Sequence, residues 1–156
     1  MSEPKISIQE TDVRSEAALA LLQALTTELV QRYGDDGGAN HFKTSDMDQA
    51  GSLFCMAYEN ETPIACGAIR PLKGEIGELK RMYVRPAFRG RGLSKRILAF
   101  LEQKARDFGY TELWLETGTE QPEAIALYQQ AGYRRIPVYG YYKKDPRSRC
   151  FGKQLG

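Results

Sequence analysis

Apolar residues recur at helical spacing in three segments of the chain. In residues 15–33, 91–108 and 120–131 they fall three or four positions apart. This spacing gathers them on one face of a helix, which predicts three amphipathic helices. Pro122 lies in the first turn of the third segment, where its missing N–H is tolerated. A glycine, the residue typical of helix C-termini, follows each segment: Gly34, Gly109 and Gly132.

Shorter apolar or alternating runs between these segments predict the strands. Residues 53–59 and 64–70 flank the turn sequence Asn-Glu-Thr-Pro, which favours a hairpin. The other predicted strands are residues 6–13, 75–84, 110–117, 133–138 and 150–155. We expect the last of these to lie at an edge of the sheet. The order β-α-ββ-β-α-β-α-β-β predicts one mixed α/β domain over residues 1–156.

Composition narrows the functional classes. A net charge of +2 is too small for nucleic acid to be the main partner. No apolar run approaches the ~20 residues of a membrane span, and the polar N-terminus does not resemble a secretory signal. The three cysteines are far apart and there is one histidine, so we expect free thiols and no zinc site. These features favour a cytoplasmic enzyme or binding protein without a metal.

A basic, glycine-containing turn joins strand 75–84 to helix 91–108. Gly90 and Gly92 allow a tight turn and close approach of a ligand. The first amides of the following helix point outward as donors, and the helix dipole makes that end positive. Together with the neighbouring basic side chains, this arrangement favours a phosphate or pyrophosphate ligand. The alternative is an ordinary helix cap with exposed arginines, and neither a Walker A loop nor G-x-G-x-x-G is present.

Two segments resemble motifs of the GNAT superfamily of N-acetyltransferases. Residues 78–94 resemble its motif A, Q/R-x-x-G-x-G/A: Arg89 and Gly92 match, and Ser94 replaces the usual Gly or Ala. Residues 123–133 resemble the family's A-I-x-L-Y-x-x-x-G-F/Y motif. The order and spacing of the elements also match over nearly the whole chain. The resemblance implies a mostly antiparallel sheet of about six to seven strands, flanked by helices and splayed at strand 75–84.

The resemblance further implies that acetyl-CoA is the cosubstrate. Its pyrophosphate is expected on the amides of the glycine turn, and its pantetheine arm along strand 75–84, which a bulge would separate from its neighbour. Many members have an asparagine where this chain has glutamine at position 121. The implied coenzyme A residues are Met82, Tyr83, Val84, Arg89, Gly90, Arg91, Gly92, Leu93, Ser94, Lys95, Gln121 and Tyr128.

Amine attack on a thioester needs a base, a stabilised carbonyl oxygen and a protonated leaving thiolate. The resemblance implies Glu78 as the base, acting directly or through water, and Tyr128 as the acid. The backbone amide near Met82 is expected to bind the carbonyl oxygen. Two alternatives stay open: Glu78 pairs with Lys80 or Arg81 on the surface, and Tyr128 is a core aromatic.

The family places its acceptor between the first helix with its following loop and the last two strands. The implied substrate residues are Tyr33, Asp35, His41, Phe42, Tyr139 and Tyr141. Asp35 and Asp36 would attract a cationic amine, or simply form a solvated turn. The leading function is acetyl transfer to a primary amine of a small molecule. The alternatives are a protein or peptide acceptor and a non-catalytic acyl-CoA-binding regulatory module; an exposed last strand would also permit a homodimer.

Overall fold

The computed structural model describes residues 5–36 and 41–156, and the predicted order of helices and strands is found in these ranges. The helices are α1 (Glu16–Tyr33), α2 (Leu93–Asp107) and α3 (Pro122–Gln130). The strands are β1 (Ile6–Glu10), β2 (Leu53–Glu59), β3 (Thr62–Lys73), β4 (Ile76–Val84), β5 (Glu112–Gly118), β6 (Arg134–Ile136) and β7 (Ser148–Gln154). Short 3-10 segments occupy Thr44–Asp48, Pro86–Phe88 and Gly140–Lys144.

Local sequence signals set the ends of α1. The Ser15 hydroxyl accepts a hydrogen bond from the Ala18 amide at 3.2 Å, which caps the N-terminus. Gly34 ends the helix at φ 73°, and its N–H bonds the Val30 carbonyl. The predicted loop that follows includes Gly37 and Gly38, which lie outside the described residues. None of the described helices is long and apolar enough to cross a membrane.

The seven strands form one sheet in the order β1-β2-β3-β4-β5-β7-β6. Every neighbouring pair in this sheet is antiparallel except β4 with β5, so the predicted mostly antiparallel sheet is confirmed. The expectation that the last strand is an edge was wrong. β7 pairs with β5 on one side and with β6 on the other, and Cys150 and Phe151 within it are buried. β7 therefore does not supply the exposed edge that would have permitted a homodimer.

Both faces of the sheet are covered. On β2 the alternate residues Leu53, Cys55 and Ala57 pack in the cluster that includes α2 and α3. Phe54 and Met56 pack in the cluster that includes α1. Because successive side chains of a strand point to opposite faces, this run of five buried residues shows that β2 is covered on both faces.

The sheet divides between β4 and β5. These strands pair only where Ile76–Glu78 meets Glu112–Trp114. Beyond that point β4 carries a bulge. Between the pairs Cys66–Tyr83 and Ala68–Lys80, β3 advances by two residues and β4 by three. Arg81 in the bulge has a φ of 57°. A bulge increases local twist, so β4 turns away from β5 and opens a wedge, as the resemblance implied.

Candidate active site

A cavity of about 450 Å³ occupies the wedge between β4 and β5. Residues of α1, α3 and the glycine turn complete its walls. One predicted coenzyme A residue, Arg91, is not among the described lining residues: it pairs with Glu59 at 3.4 Å, and its guanidinium carbon lies 5.1 Å from the centre of the Phe88 ring. The other predicted coenzyme A residues all line the cavity: Met82, Tyr83, Val84, Arg89, Gly90, Gly92, Leu93, Ser94, Lys95, Gln121 and Tyr128.

The glycine turn presents open backbone to this cavity. Gly90 and Gly92 have φ of 81° and 74°, and a β-carbon at either position would meet no atom within 4 Å. The required φ, not crowding, therefore selects glycine here. The first hydrogen bond of α2 runs from the Arg96 amide to the Gly92 carbonyl at 3.2 Å, so the amides before it lie ahead of the helical ladder. With no acidic residue in the first turn, this end of α2 fits a pyrophosphate.

The Arg89 side chain braces the turn. Its Nε donates to the Val84 carbonyl at 2.9 Å, and its Nη2 donates to a Glu28 oxygen at 2.7 Å. The guanidinium thus ties the turn to the end of β4 and to α1. Arg89 therefore holds the glycine turn in place against both elements.

A second cavity of about 130 Å³ adjoins the first. The two share Leu29, His41, Glu116, Gln121 and Tyr142 as lining residues. The predicted substrate residues Tyr33, Asp35, His41 and Tyr141 line the smaller cavity, as does Asp36. The region predicted for the acceptor is therefore continuous with the region predicted for the cosubstrate.

Two predicted substrate residues do not line this cavity. Phe42 is 7% exposed and packs in the core beneath α1. The ring of Tyr139 lies 5.4 Å from the ring of Trp114, and its hydroxyl donates to Glu78. Phe42 is adjacent to the lining residue His41, and Tyr139 lies two positions before the lining residue Tyr141. Sequence alone does not say which of several nearby side chains faces a cavity.

Glu116 is a functional candidate that the sequence analysis missed. Its side chain lies on β5, at the junction of the two cavities. Ser148 Oγ donates to Glu116 Oε2 at 2.7 Å. Burial raises the pKa of the Glu116 carboxyl, while this hydrogen bond and the charge of Lys80 oppose the rise. The only feature of the sequence that indicated Glu116 was a polar residue between Leu115 and Thr117, in a strand that alternates in hydrophobicity.

Lys80 faces the wedge from the opposite strand. Its side chain lines the larger cavity, and its Nζ donates to the Tyr142 hydroxyl at 2.6 Å. Burial lowers the pKa of this ammonium, although the nearby charges of Glu78 and Glu116 act against that change.

Glu78, the predicted base, lies behind the cavities. It is 1% exposed and is not among the described lining residues of either cavity. Arg70 donates to its Oε1 through Nε at 2.9 Å and Nη2 at 2.8 Å, and Tyr139 donates to its Oε2 at 2.7 Å. Glu78 is thus a buried ion-paired carboxylate, different from both the open base and the surface pair that the sequence left as alternatives.

Tyr128, the predicted acid, reaches the larger cavity from α3. Its ring packs edge-on against Tyr133, with 5.8 Å between centroids. Burial raises the pKa of the Tyr128 hydroxyl, so this group keeps its proton at neutral pH. A protonated hydroxyl at a cavity wall can donate to a departing anion.

Comparison with known proteins assigns the class. The model of the acetyltransferase (GNAT) family matches residues 18–133, about three quarters of the chain. The chain belongs to this family of N-acetyltransferases.

Individual relatives match over nearly the whole chain. The "IAA acetyltransferase" of Azospirillum brasilense is 32% identical over 97% of this chain and 99% of its own. A Klebsiella pneumoniae crystal structure provisionally described as an acyl-CoA N-acyltransferase is 30% identical, with a TM-score of 0.80 over 97% of this chain and 98% of its own. A GNAT acetyltransferase from Elizabethkingia anophelis, solved with acetyl-CoA bound, has the same fold at 19% identity, with a TM-score of 0.70 over 96% and 97%.

Proposed function

We propose that this acetyltransferase transfers the acetyl group of acetyl-CoA to a primary amine of a small molecule, by direct attack in a ternary complex. The observation that carries the proposal is the continuity of the two cavities. The larger runs from the amide-lined end of α2 along the wedge, and the smaller meets it at Glu116 and Tyr142. Binding of acetyl-CoA to a protein of the same fold supports the assignment of the larger cavity.

The charge of the smaller cavity favours a cationic acceptor. Among its described lining residues the carboxylates outnumber the single guanidinium of Arg147: they are Asp35, Asp36, Glu116 and Asp145. Arg147 is itself paired, at 2.9 Å with Asp145 and 3.0 Å with Asp35. The small volume supports a compact amine over a folded protein surface.

Glu116 is the proposed base. An alkyl amine with a pKa of about 10.4 is neutral in fewer than about one molecule in a thousand at pH 7. The amine must therefore lose a proton before it attacks, and Glu116 is the carboxylate at the junction where amine and thioester would meet. Its raised pKa brings it closer to neutral pH, which improves the match between base and operating pH.

The remaining roles fall to β4 and α3. Backbone N–H groups of the bulged part of β4, near Met82, are proposed to donate to the carbonyl oxygen as it gains charge. Tyr128 is proposed to donate its proton to the thiolate as the carbon–sulfur bond breaks. The attacking nitrogen loses two protons in all as an ammonium group becomes an amide. Glu116 passes one of them to solvent, and the second, lost as the amide forms, restores the proton of Tyr128 through solvent, so both side chains return to their starting states.

Release of free thiol from acetyl-CoA, measured with a panel of small amines and short peptides, tests this proposal. We expect turnover with one or more small cationic amines. Turnover with peptides alone would replace the small acceptor by a protein. Tight acetyl-CoA binding without turnover on any amine would instead favour a regulatory module.

We also propose a reducing, cytoplasmic setting. The three cysteines of the chain, Cys55, Cys66 and Cys150, are all buried free thiols. Burial raises the pKa of the Cys66 thiol to about 12, so this group stays protonated and unreactive. Such thiols are typical of proteins from reducing compartments.

A further inference from the structure

A buried ion pair lies behind the smaller cavity without contacting it. Glu78 and Arg70 are joined through Oε1 of the carboxylate, and their side chains are 2% and 17% exposed. Arg70 also bonds an Asp46 oxygen at 2.6 Å. A buried ion pair stabilises a fold weakly compared with apolar residues of the same volume. The roles assigned above leave this arrangement unexplained.

The second oxygen of Glu78 binds a segment beside the smaller cavity, Tyr139–Tyr142, which we call the tyrosine wall. Oε2 accepts from the Tyr139 hydroxyl at 2.7 Å and from the Tyr142 hydroxyl at 3.5 Å. The Tyr142 hydroxyl in turn accepts from Lys80 Nζ. Glu78 and Lys80 of β4 are therefore hydrogen-bonded to two residues of the tyrosine wall.

The tyrosine wall shapes the space where the amine would bind. Tyr142 lines both cavities, and Tyr141 lines the smaller one. Tyr141 is 73% exposed, so its own packing contributes little to its position. The ring of His41, which lines both cavities, lies 5.4 Å from the ring of Tyr141 and 5.7 Å from the ring of Tyr142, so the wall also packs against a third lining residue.

The same contacts argue against proton transfer to Glu78. A general base must bring an oxygen within hydrogen-bond reach of the proton that it removes. Both oxygens of Glu78 already accept hydrogen bonds, from Arg70 and from the tyrosine wall, and the side chain is buried away from the cavities.

We propose that Glu78 is a positioning residue: through Tyr139 and Tyr142 it fixes the tyrosine wall, and so determines how the acceptor amine is held, without exchanging a proton with it. The inference rests on the proposed function, because it assigns the smaller cavity to the amine.

The kinetic test compares Glu78→Gln and Tyr139→Phe with the wild-type chain. We expect each variant to raise the KM for the amine by about tenfold, the effect of losing a hydrogen bond to a charged group. The kcat and the KM for acetyl-CoA should stay within about threefold. The acidic limb of the pH profile should remain, because Glu116 still supplies it. The groups that face Glu78 are Arg70, Lys80, Tyr139, Tyr142 and Glu116.

Two kinetic results would overturn the inference. A loss of kcat of about 100-fold or more in Glu78→Gln, together with loss of the acidic limb, would make Glu78 the base. An unchanged amine KM in both variants would show that the wall does not need this anchor. Should Glu78→Gln fail to fold, Tyr139→Phe alone carries the kinetic comparison, since its ring can keep its place.

Glu102 supplies a matched control. It is also a buried glutamate, bonded to a lysine and a tyrosine: Lys153 at 3.1 Å and Tyr133 at 2.8 Å. It joins α2 to β7 and does not line either cavity among the described residues. Glu102→Gln should leave the amine KM unchanged. An equal rise in this variant would mean that general loosening, not the tyrosine wall, causes the effect.

A fluorescence measurement tests the inference without any amine. Trp114 is the only tryptophan in the chain, and its ring lies 5.4 Å from that of Tyr139. Release of the wall should make Trp114 more accessible to acrylamide quenching in Glu78→Gln but not in Glu102→Gln. Unchanged quenching would overturn the inference even if wild-type protein acetylated no amine. Absence of wild-type turnover combined with increased quenching would instead count against the proposed function alone.

Discussion

Glu78 and Glu116 lie on neighbouring strands, and their surroundings give them different chemistry. Glu78 has a guanidinium against one oxygen and a tyrosine hydroxyl against the other. Glu116 accepts from one serine hydroxyl and also lines both cavities. A carboxylate held by a fixed cation suits an anchor, whereas one whose pKa is raised by burial suits a base near neutral pH.

We predict that Glu116→Gln lowers kcat by about 10²–10⁴-fold, the usual contribution of a positioned base. The carboxylate is the active form, so wild-type activity should fall as the pH drops through its pKa. Because burial raises that pKa from the ordinary value of 4.5, the fall should begin at a higher pH than for an exposed glutamate. Lys80, Glu78, Asp145 and Ser148 also influence this group. The measurement is kcat/KM against pH, and persistence of the acidic limb in the variant would contradict the assignment.

Tyr128→Phe should lower turnover more than it weakens cosubstrate binding. The change removes the proposed proton donor but keeps the ring that packs on Tyr133. We expect kcat to fall by about 10²-fold while the Kd for coenzyme A changes little. Tyr133→Phe is the matched control, because its hydroxyl points to Glu102 instead of the cavity. Equal rates for wild type and Tyr128→Phe would remove the acid role.

At the scale of elements, the proposed cosubstrate site depends on the N-terminus of α2. It combines free amides, two glycines at positive φ and a first turn without acidic residues. An anion at this position is stabilised by the amides and by the helix dipole together.

A negative charge here should oppose the pyrophosphate. We predict that Gly92→Asp weakens coenzyme A binding by at least about 100-fold through charge repulsion at close range, measured by calorimetry. Gly92→Asn has nearly the same shape and tolerates positive φ, so a smaller loss would isolate the charge effect. Gly109→Asp is a second control, because Gly109 lies at the other end of α2 with φ 91° and equally open space. Unchanged affinity in Gly92→Asp would exclude this end of α2 as the anion site.

At the scale of the whole molecule, the sheet consists of two halves that meet over only three residue pairs. Side chains around the wedge add a link between them. Arg89 binds Glu28 of α1 at 2.7 Å, and Arg32 of α1 forms an ion pair with Glu123 of α3. A ligand in the wedge would touch both halves of the sheet at once.

We therefore expect coenzyme A to stabilise the fold. At a concentration of 100 times Kd, a ligand that binds only the native state adds about 2.7 kcal/mol, which for a chain of this length raises Tm by about 5–10 °C. Thermal unfolding with and without coenzyme A measures the shift. Gly92→Asp should show almost none, and a wild-type Tm independent of coenzyme A would argue against binding in the wedge.

Sequence patterns determined the order of the elements and the place of the glycine turn, because helical spacing, turn residues and motif matches are local properties of the chain. Eleven of the twelve predicted coenzyme A residues line the larger cavity for the same reason: nine follow one another along β4, the glycine turn and the start of α2, and the other two, Gln121 and Tyr128, belong to the second motif at α3. The exception, Arg91, has a long side chain that found an ion-pair partner on β2.

Only the tertiary structure decided which polar groups face the cavities. The position of Glu116 at the junction depends on the wedge, and the wedge depends on the bulge in β4 and on where pairing with β5 stops. The burial of Glu78 depends on Arg70 and Tyr139, which are 8 and 61 residues away. The sequence also did not predict which strands pair with β7, because strand pairing joins residues far apart in sequence. Contacts of this kind depend on how distant segments meet, and no local pattern of hydrophobic and polar residues encodes that meeting.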